Sequence, residues 1–159
     1  MSYRYSNSFI KPGLNTLTSP SPSSYTYELW SWGLNSSGQL GLNNTTNYSS
    51  PKQIGALATW ATVSSGAGNA TATKTDGTLW SWGRNDYGQL GLGSISNYSS
   101  PKQVGALTIW STIASGFDHV LAIRTDGTLW SWGRNNYGQL GFSSVYTVSY
   151  THLTLPTKA

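Results

Sequence analysis

Asp118 and His119 are the nearest this sequence comes to a catalytic pair. A carboxylate beside an imidazole can orient a general base, but the base then needs a nucleophile within reach. The sequence has no G-x-S-x-G, H-E-x-x-H, G-x-x-x-x-G-K or calcium-loop pattern to supply one. The preceding repeat unit has Gly68-Asn69 at the equivalent place, so the pair does not recur. The five acids are single and scattered, and two of them, Asp76 and Asp126, belong to turns. There is no cysteine, and His119, the only histidine before residue 148, makes no metal site alone. The expectation is therefore a non-enzyme, with no catalytic residue, no metal and no cofactor.

Binding chemistry is better represented. The pairs Trp30/Trp32, Trp80/Trp82 and Trp130/Trp132 recur at steps of 50 residues, as do Trp60 and Trp110. Indole pairs can form a glycan platform, but repetition in every unit points to a structural core made of these eight Trp. The residues that change between copies are better candidates for contact. Leu34-Asn-Ser-Ser37 becomes Arg84-Asn85-Asp86-Tyr87 and then Arg134-Asn135-Asn136-Tyr137. Arg and Tyr are enriched at interaction surfaces, and loops on a rigid scaffold usually carry binding. Those eight residues, Arg84 to Tyr87 and Arg134 to Tyr137, are the expected partner-binding set.

Composition frames this. Charged residues make up 9% of the 159, and Gly, Ser, Thr and Asn are abundant, as in β-structure with many turns. The net charge of +4 is spread as single residues, which argues against nucleic acid, where a basic patch is needed. No apolar run is long enough for a membrane span, and the N-terminus lacks the apolar stretch of a signal peptide.

The elements that position the loops follow from the repeat. Residues 28–77 and 78–127 are identical at 29 of 50 positions, and residues 128–142 match 78–92 at 13 of 15. In each full unit Thr-Asp-Gly-Thr joins two runs of strand formers, such as His119–Thr125 and Leu129–Trp132, which predicts a hairpin with a type I′ turn. Two further strands are expected around Lys102–Leu107 and Trp110–Ala114. Four short strands per 50 residues is the pattern of a propeller blade.

The units TLWSWGRNDYGQLGLG and SSPKQVGALTIWSTIASGFDHVLAIRTDG resemble the regulator of chromosome condensation repeat family, within the β-lactamase-inhibitor protein II-like propeller superfamily. The resemblance covers about residues 28–142. It implies an all-β fold: a partial β-propeller of four-stranded blades, with about two complete repeats and part of a third. It also implies a structural hydrogen-bonding role for His119.

The domain reading is residues 1–24 as an N-terminal arm or linker, 25–147 as an incomplete repeat propeller, and 148–159 as a tail. The tail, from Val148-Ser-Tyr-Thr-His onward, departs from the repeat and resembles a translated sequencing adapter, so the chain reads as a fragment. Further repeats or another chain would then close the propeller. The expected function is a non-catalytic scaffold that binds a protein, or a glycan, through blade loops, as in a phage or bacterial surface protein. The expected location is the cytoplasm or a virion. The alternative is a regulator of an enzyme, resembling the family's guanine-nucleotide exchange factor or β-lactamase inhibitor. The few basic residues of the arm, Arg4 and Lys11, argue against the former.

Overall fold

The computed structural model describes residues 8–12, 27–56, 59–142 and 148–153, with side chains described in 27–56 and 59–142. It is all-β. Eleven strands and no helix occur among the described residues. They group into three blades of antiparallel strands, the first two joined into one seven-stranded sheet by a single bridge, Tyr27↔Trp60. Blade 1 holds β1 (Ser8–Pro12), β2 (Tyr27–Gly33) and β3 (Tyr48–Gln53), in the order β1-β2-β3. Blade 2 holds β4 (Trp60–Ser65), β5 (Asn69–Lys74), β6 (Leu79–Gly83) and β7 (Tyr98–Gln103). Blade 3 repeats this with β8 (Trp110–Ser115), β9 (His119–Arg124), β10 (Leu129–Gly133) and β11 (Val148–Leu153).

Residues 8–12 and 148–153 join this pattern. Part of the segment expected to be an arm forms β1, which pairs with β2 from Ser8↔Ser31 to Pro12↔Tyr27. Blade 2 places Thr71 opposite Ser81, so β1 occupies the position of β5. At the other end, β11 pairs with β10 at Gly133↔Val148, as β7 pairs with β6 at Gly83↔Tyr98.

Two local expectations need correction. The outer strand expected around Lys102–Leu107 runs from Tyr98 to Gln103. Pro101 favours an extended residue before it and is tolerated on an outermost strand, and Gly105, at φ 64°, turns the chain away after it. The Asp-Gly turns are also not type I′. In the second unit only Gly77 has positive φ, at 79°, whereas type I′ needs it at both central residues. Gly77 N donates to Lys74 O at 2.9 Å and Lys74 N to Thr78 O at 3.0 Å, which makes a type I turn closed by a glycine bulge. Asp76 holds the turn by accepting from Thr78 N (2.9 Å) and Thr78 Oγ1 (2.6 Å).

Those bonds from the Thr78 hydroxyl and backbone hold the Asp76 carboxyl below its ordinary value. A depressed folded value contributes stability above the unfolded value of ~3.9, which is lost as pH falls through the folded value. The stability gap between the protein and its Asp76→Asn variant is therefore expected to be constant near neutrality and to shrink below about pH 4. Urea midpoints measured across that range check this, and a gap independent of pH would refute it.

The core lies between blades rather than within them. Leu29 and Ile54 of blade 1 pack with Trp60, Ala70, Ala72 and Trp82 of blade 2. Leu79 and Val104 of blade 2 pack in the same way with Trp110, Val120, Ala122 and Trp132 of blade 3. The leading faces of blades 2 and 3 therefore carry Trp and small residues, and the trailing faces of blades 1 and 2 carry Leu with Ile or Val. Residues two apart on a strand share a face, so Trp80 and Trp82 both meet Trp60, with centroids 6.3 and 5.9 Å away. Of the expected core, Trp60, Trp82, Trp110 and Trp132 are buried, while Trp30, Trp32, Trp80 and Trp130 are half-buried.

Candidate functional site

The segment after each W-S-W-G strand is a long loop organised by one asparagine. Asn85 Nδ2 donates to Ser94 O (2.8 Å) and Ser96 O (3.0 Å), and its Oδ1 accepts from Leu90 N (2.9 Å). Its backbone N donates to Asn97 Oδ1 at 2.7 Å. Asn35 and Asn135 likewise accept from Leu40 N and Leu140 N, each at 2.9 Å. The glutamine of G-Q-L-G adds a second tie, since Gln89 Oε1 accepts from Tyr87 N at 2.8 Å. These are local side-chain-to-backbone bonds, which let a loop without regular structure keep one shape.

The expected contact set divides on this basis. Asn85 and Asn135 are 0% exposed and belong to the loop interior, so no partner can touch them. Their invariance among the copies was the available signal, because a residue that organises each loop recurs in each. Asp86, Asn136 and Tyr137 are exposed, and Arg84, Tyr87 and Arg134 half-buried.

The structure brings three of these, Tyr87, Arg134 and Tyr137, together across two blades, and pairs Arg84 with Asp86 within one loop. The Arg134 guanidinium carbon lies 4.8 Å from the ring centre of Tyr87, on the preceding blade, and 5.6 Å from that of Tyr137 on its own loop. Both distances lie within the ~6 Å reach of a cation–π contact. Each arginine also has one carboxylate, but from a different place. Arg84 Nε bonds Asp86 Oδ2 at 2.6 Å, and this hydrogen bond raises the Arg84 value above normal. The third unit has Asn136 at the loop position of Asp86, and Arg134 instead pairs with Asp118 Oδ2 at 3.4 Å. Asp118 is buried and stands where blade 2 has Gly68, as Arg84 N→Gly68 O and Arg134 N→Asp118 O show, both at 2.8 Å. The carboxylate has moved from the loop tip to the blade. Asp118 also accepts from Gln89 Nε2 of blade 2 at 3.4 Å, which ties the two blades at this end.

His119, adjacent to this cluster, packs its ring against Gly116, and its carbonyl accepts from Gly116 N at 2.8 Å. No group of three or more His, Cys, Asp or Glu that could hold a metal occurs among the described residues. Among the described residues no helix is long and apolar enough to cross a membrane.

The other aromatic cluster is already covered. Lys74 Nζ sits 4.0 Å from the Trp80 ring centre, and the Arg124 guanidinium 3.5 Å from that of Trp130. Trp80 Nε1 donates to Thr78 Oγ1 at 2.8 Å, and Trp130 Nε1 to Thr128 Oγ1 at 3.0 Å. Ring faces capped by a cation, with indole N–H groups bonded internally, are occupied as structure. Sequence reasoning missed the most regular contact between blades: Trp82 Nε1 donates to Gln39 O, and Trp132 Nε1 to Gln89 O, each at 3.0 Å.

Comparison with known proteins agrees with this architecture. Residues 28–72, 76–123 and 126–159 match the model of the regulator of chromosome condensation (RCC1) repeat. A second model of the same repeat matches residues 60–89 and 110–139. No curated protein sequence matches the chain. Among solved structures the chain resembles human WBSCR16, at 25% identity and a TM-score of 0.70, over 83% of this chain and 37% of that one. It also resembles Prp20p from Saccharomyces cerevisiae, in a structure described with its binding to Gsp1p and histones, at 21% identity and a TM-score of 0.73. That match covers 82% of this chain and 35% of Prp20p. A yeast RCC1 (Prp20) structure with Kap60 matches at 22% identity and a TM-score of 0.70, over 84% of this chain and 33% of that one. The chain thus spans about a third of the length of these structures. The family match covers most of the sequence, and the chain belongs to the regulator of chromosome condensation repeat family of β-propellers.

Proposed function

We propose that the chain is a non-catalytic propeller module that binds a protein through the loop end carrying Arg84, Asp86, Tyr87, Arg134, Asn136 and Tyr137. The observation that carries this reading is the stacking of Arg134 between Tyr87 and Tyr137. It sets a planar cation and two aromatic rings, drawn from two blades, in a fixed order at the surface. Arg and Tyr dominate binding hot spots, and a side chain already held in place loses less entropy on contact. Neutralisation of each arginine by one carboxylate disfavours a polyanion as partner and favours a mixed polar and aromatic protein surface. Relatives in structures described with Gsp1p, histones and Kap60 are protein binders, which supports the same class of partner here. A glycan is the weaker reading, because the Trp faces that would stack on sugars are capped by Lys74 and Arg124.

A random-peptide display library panned against the purified chain tests this. Selected peptides are expected to lose about 30-fold in affinity for a Tyr87→Ala/Arg134→Ala variant, the size of a hot-spot loss. They should bind unchanged to a Lys52→Ala/Lys102→Ala variant of the outer strands. Equal losses on both variants, or a loss confined to the outer strands, would place binding elsewhere.

A further inference from the structure

Among the described residues the loop end of blades 2 and 3 carries four charges, on Arg84, Asp86, Asp118 and Arg134. The two ion pairs they form are built differently. Arg84 uses Nε, which bonds Asp86 Oδ2 at 2.6 Å. Arg134 uses Nη1 for Asp118, and its own Nε is buried with no hydrogen-bond partner among the described residues. A carboxylate at position 136 could meet that Nε as Asp86 meets the Nε of Arg84, but the third unit has Asn136 there. Blade 2 in turn has little space for the arrangement of blade 3. A Cβ on Gly68, the counterpart of Asp118, would press on the Arg84 stem, 3.3 Å from its Cβ and 3.4 Å from its Cδ.

The placement of Asp118 gives it a wider reach than Asp86. It is 3% exposed and sits at the seam between blades, accepting from Gln89 Nε2 of blade 2 and from Arg134 of blade 3. Its charge also acts on Arg84, whose value is raised first by the hydrogen bond to Asp86 and in smaller part by the fields of Asp86 and Asp118. A buried charge is screened by salt less than one at a loop tip. One interior carboxylate thus offsets the positive field of arginines on two blades.

We propose that Asp118 sets the specificity of this end, leaving Arg134 open to a protein surface and closed to a polyanion such as nucleic acid. The proposal rests on the reading of the loop end as a protein-binding surface. A phosphate approaching Arg134 meets the charge of Asp118 as well, 3.4 Å from Nη1, and that repulsion offsets much of the attraction. The Arg134 guanidinium stacked on Tyr87 still suits a neutral polar or aromatic side chain, which the carboxylate does not repel. Without Asp118, Arg134 adds an uncompensated charge beside Arg84, and Asp86 is the one acid left among the described residues of this end.

The test is binding of the 159-residue chain and its variants to a short fluorescein-labelled DNA duplex, read by anisotropy over a range of salt concentrations. The unaltered chain is expected to bind weakly. Asp118→Gly, which puts the blade 2 residue at that position, is expected to bind about tenfold more tightly at low salt, with a log–log salt slope steeper by about one for the extra phosphate engaged. The bond from Arg134 N to the residue 118 carbonyl is backbone and survives the change. Asp118→Asn, which can still accept from Gln89, is expected to show the same gain and serves if the glycine variant does not fold. Adding Asn136→Asp to Asp118→Gly copies the arrangement of blade 2 and is expected to remove most of the gain. Adding Thr108→Asp instead restores the same net charge at the opposite end, where Thr108 O lies against Gly77 of the Asp-Gly turn, and is expected to leave the gain in place. Folded Asp118 variants that bind no more tightly than the unaltered chain would overturn the proposal and leave the protein-binding reading standing. Equal effects of Asn136→Asp and Thr108→Asp would overturn it too, because net charge rather than position would then be the cause. Tight binding by the unaltered chain that is lost in Arg134→Gln would overturn both, since the loop end would then be a nucleic-acid surface.

Discussion

Replacing Trp82 by Ala is expected to lower the free energy of unfolding by about 3–5 kcal/mol, while the same change at Trp30 costs much less. Both residues belong to a W-S-W-G strand, and sequence alone treats them as equivalent. Burial and bonding separate them. Trp82 is 0% exposed, packs between Leu29 and Ile54 of blade 1 and Trp60 of its own blade, and donates to Gln39 O. Trp30 is half-buried, and its indole N–H donates to Glu28 Oε2 of the same strand at 3.2 Å. Truncating Trp82 opens a cavity between two blades and orphans the carbonyl of Gln39, whose residue is 5% exposed. Whole domains are stable by only ~5–15 kcal/mol, so Trp82→Ala removes a large share of the total. Trp82→Phe keeps most of the apolar volume but loses the donor, and is expected to fall between the two. Urea unfolding followed by far-ultraviolet circular dichroism gives the order. Equal losses for Trp82→Ala and Trp30→Ala would show that the bond between blades adds nothing.

The fold was largely legible in the sequence because period and strand chemistry repeat together. The 50-residue spacing of Trp and the Thr-Asp-Gly-Thr hairpins locate β5, β6, β9 and β10. The outermost strands were less legible. β11 pairs with β10 although Val148–Leu153 does not resemble Tyr98–Gln103, because such a strand is held by backbone bonds that most side chains permit. β1 was hidden for the same reason, with a long connection standing where later units have a tight turn. Of the candidate site, the loops were legible and the roles within them were not. Asn85 and Tyr87 are two residues apart, yet one is interior and the other stacks beneath an arginine of the next blade. The exchange of Asp86 for Asn136 and of Gly68 for Asp118 was visible as two separate differences between copies. Only the blade geometry shows that they are one compensated change around the arginine.

The G-Q-L-G motif owes its last glycine to the same contact between blades, and a comparison with a nearby glycine isolates that cause. Gly91 and Gly93 have nearly the same left-handed backbone, at φ 68° and 69°. A side chain in that conformation costs roughly 1–2 kcal/mol at either position. Their surroundings differ. A Cβ on Gly93 meets nothing within 4 Å, whereas on Gly91 it would lie 2.9 Å from Trp132 Nε1 and 3.2 Å from two further indole atoms. Trp132 is 0% exposed and tied to Gln89 O, so it has no room to withdraw. Gly93→Ala is expected to cost the conformational amount alone. Gly91→Ala is expected to add an overpacking cost of about 1–3 kcal/mol, because the indole must leave its place against blade 2. The excess should vanish in a Trp132→Ala background, where the clash is gone and the backbone cost remains. A double-mutant cycle on urea unfolding measures it. If Gly91→Ala and Gly93→Ala cost the same, the glycine serves the turn alone, and the packing of Trp132 against the preceding blade places no demand on the motif.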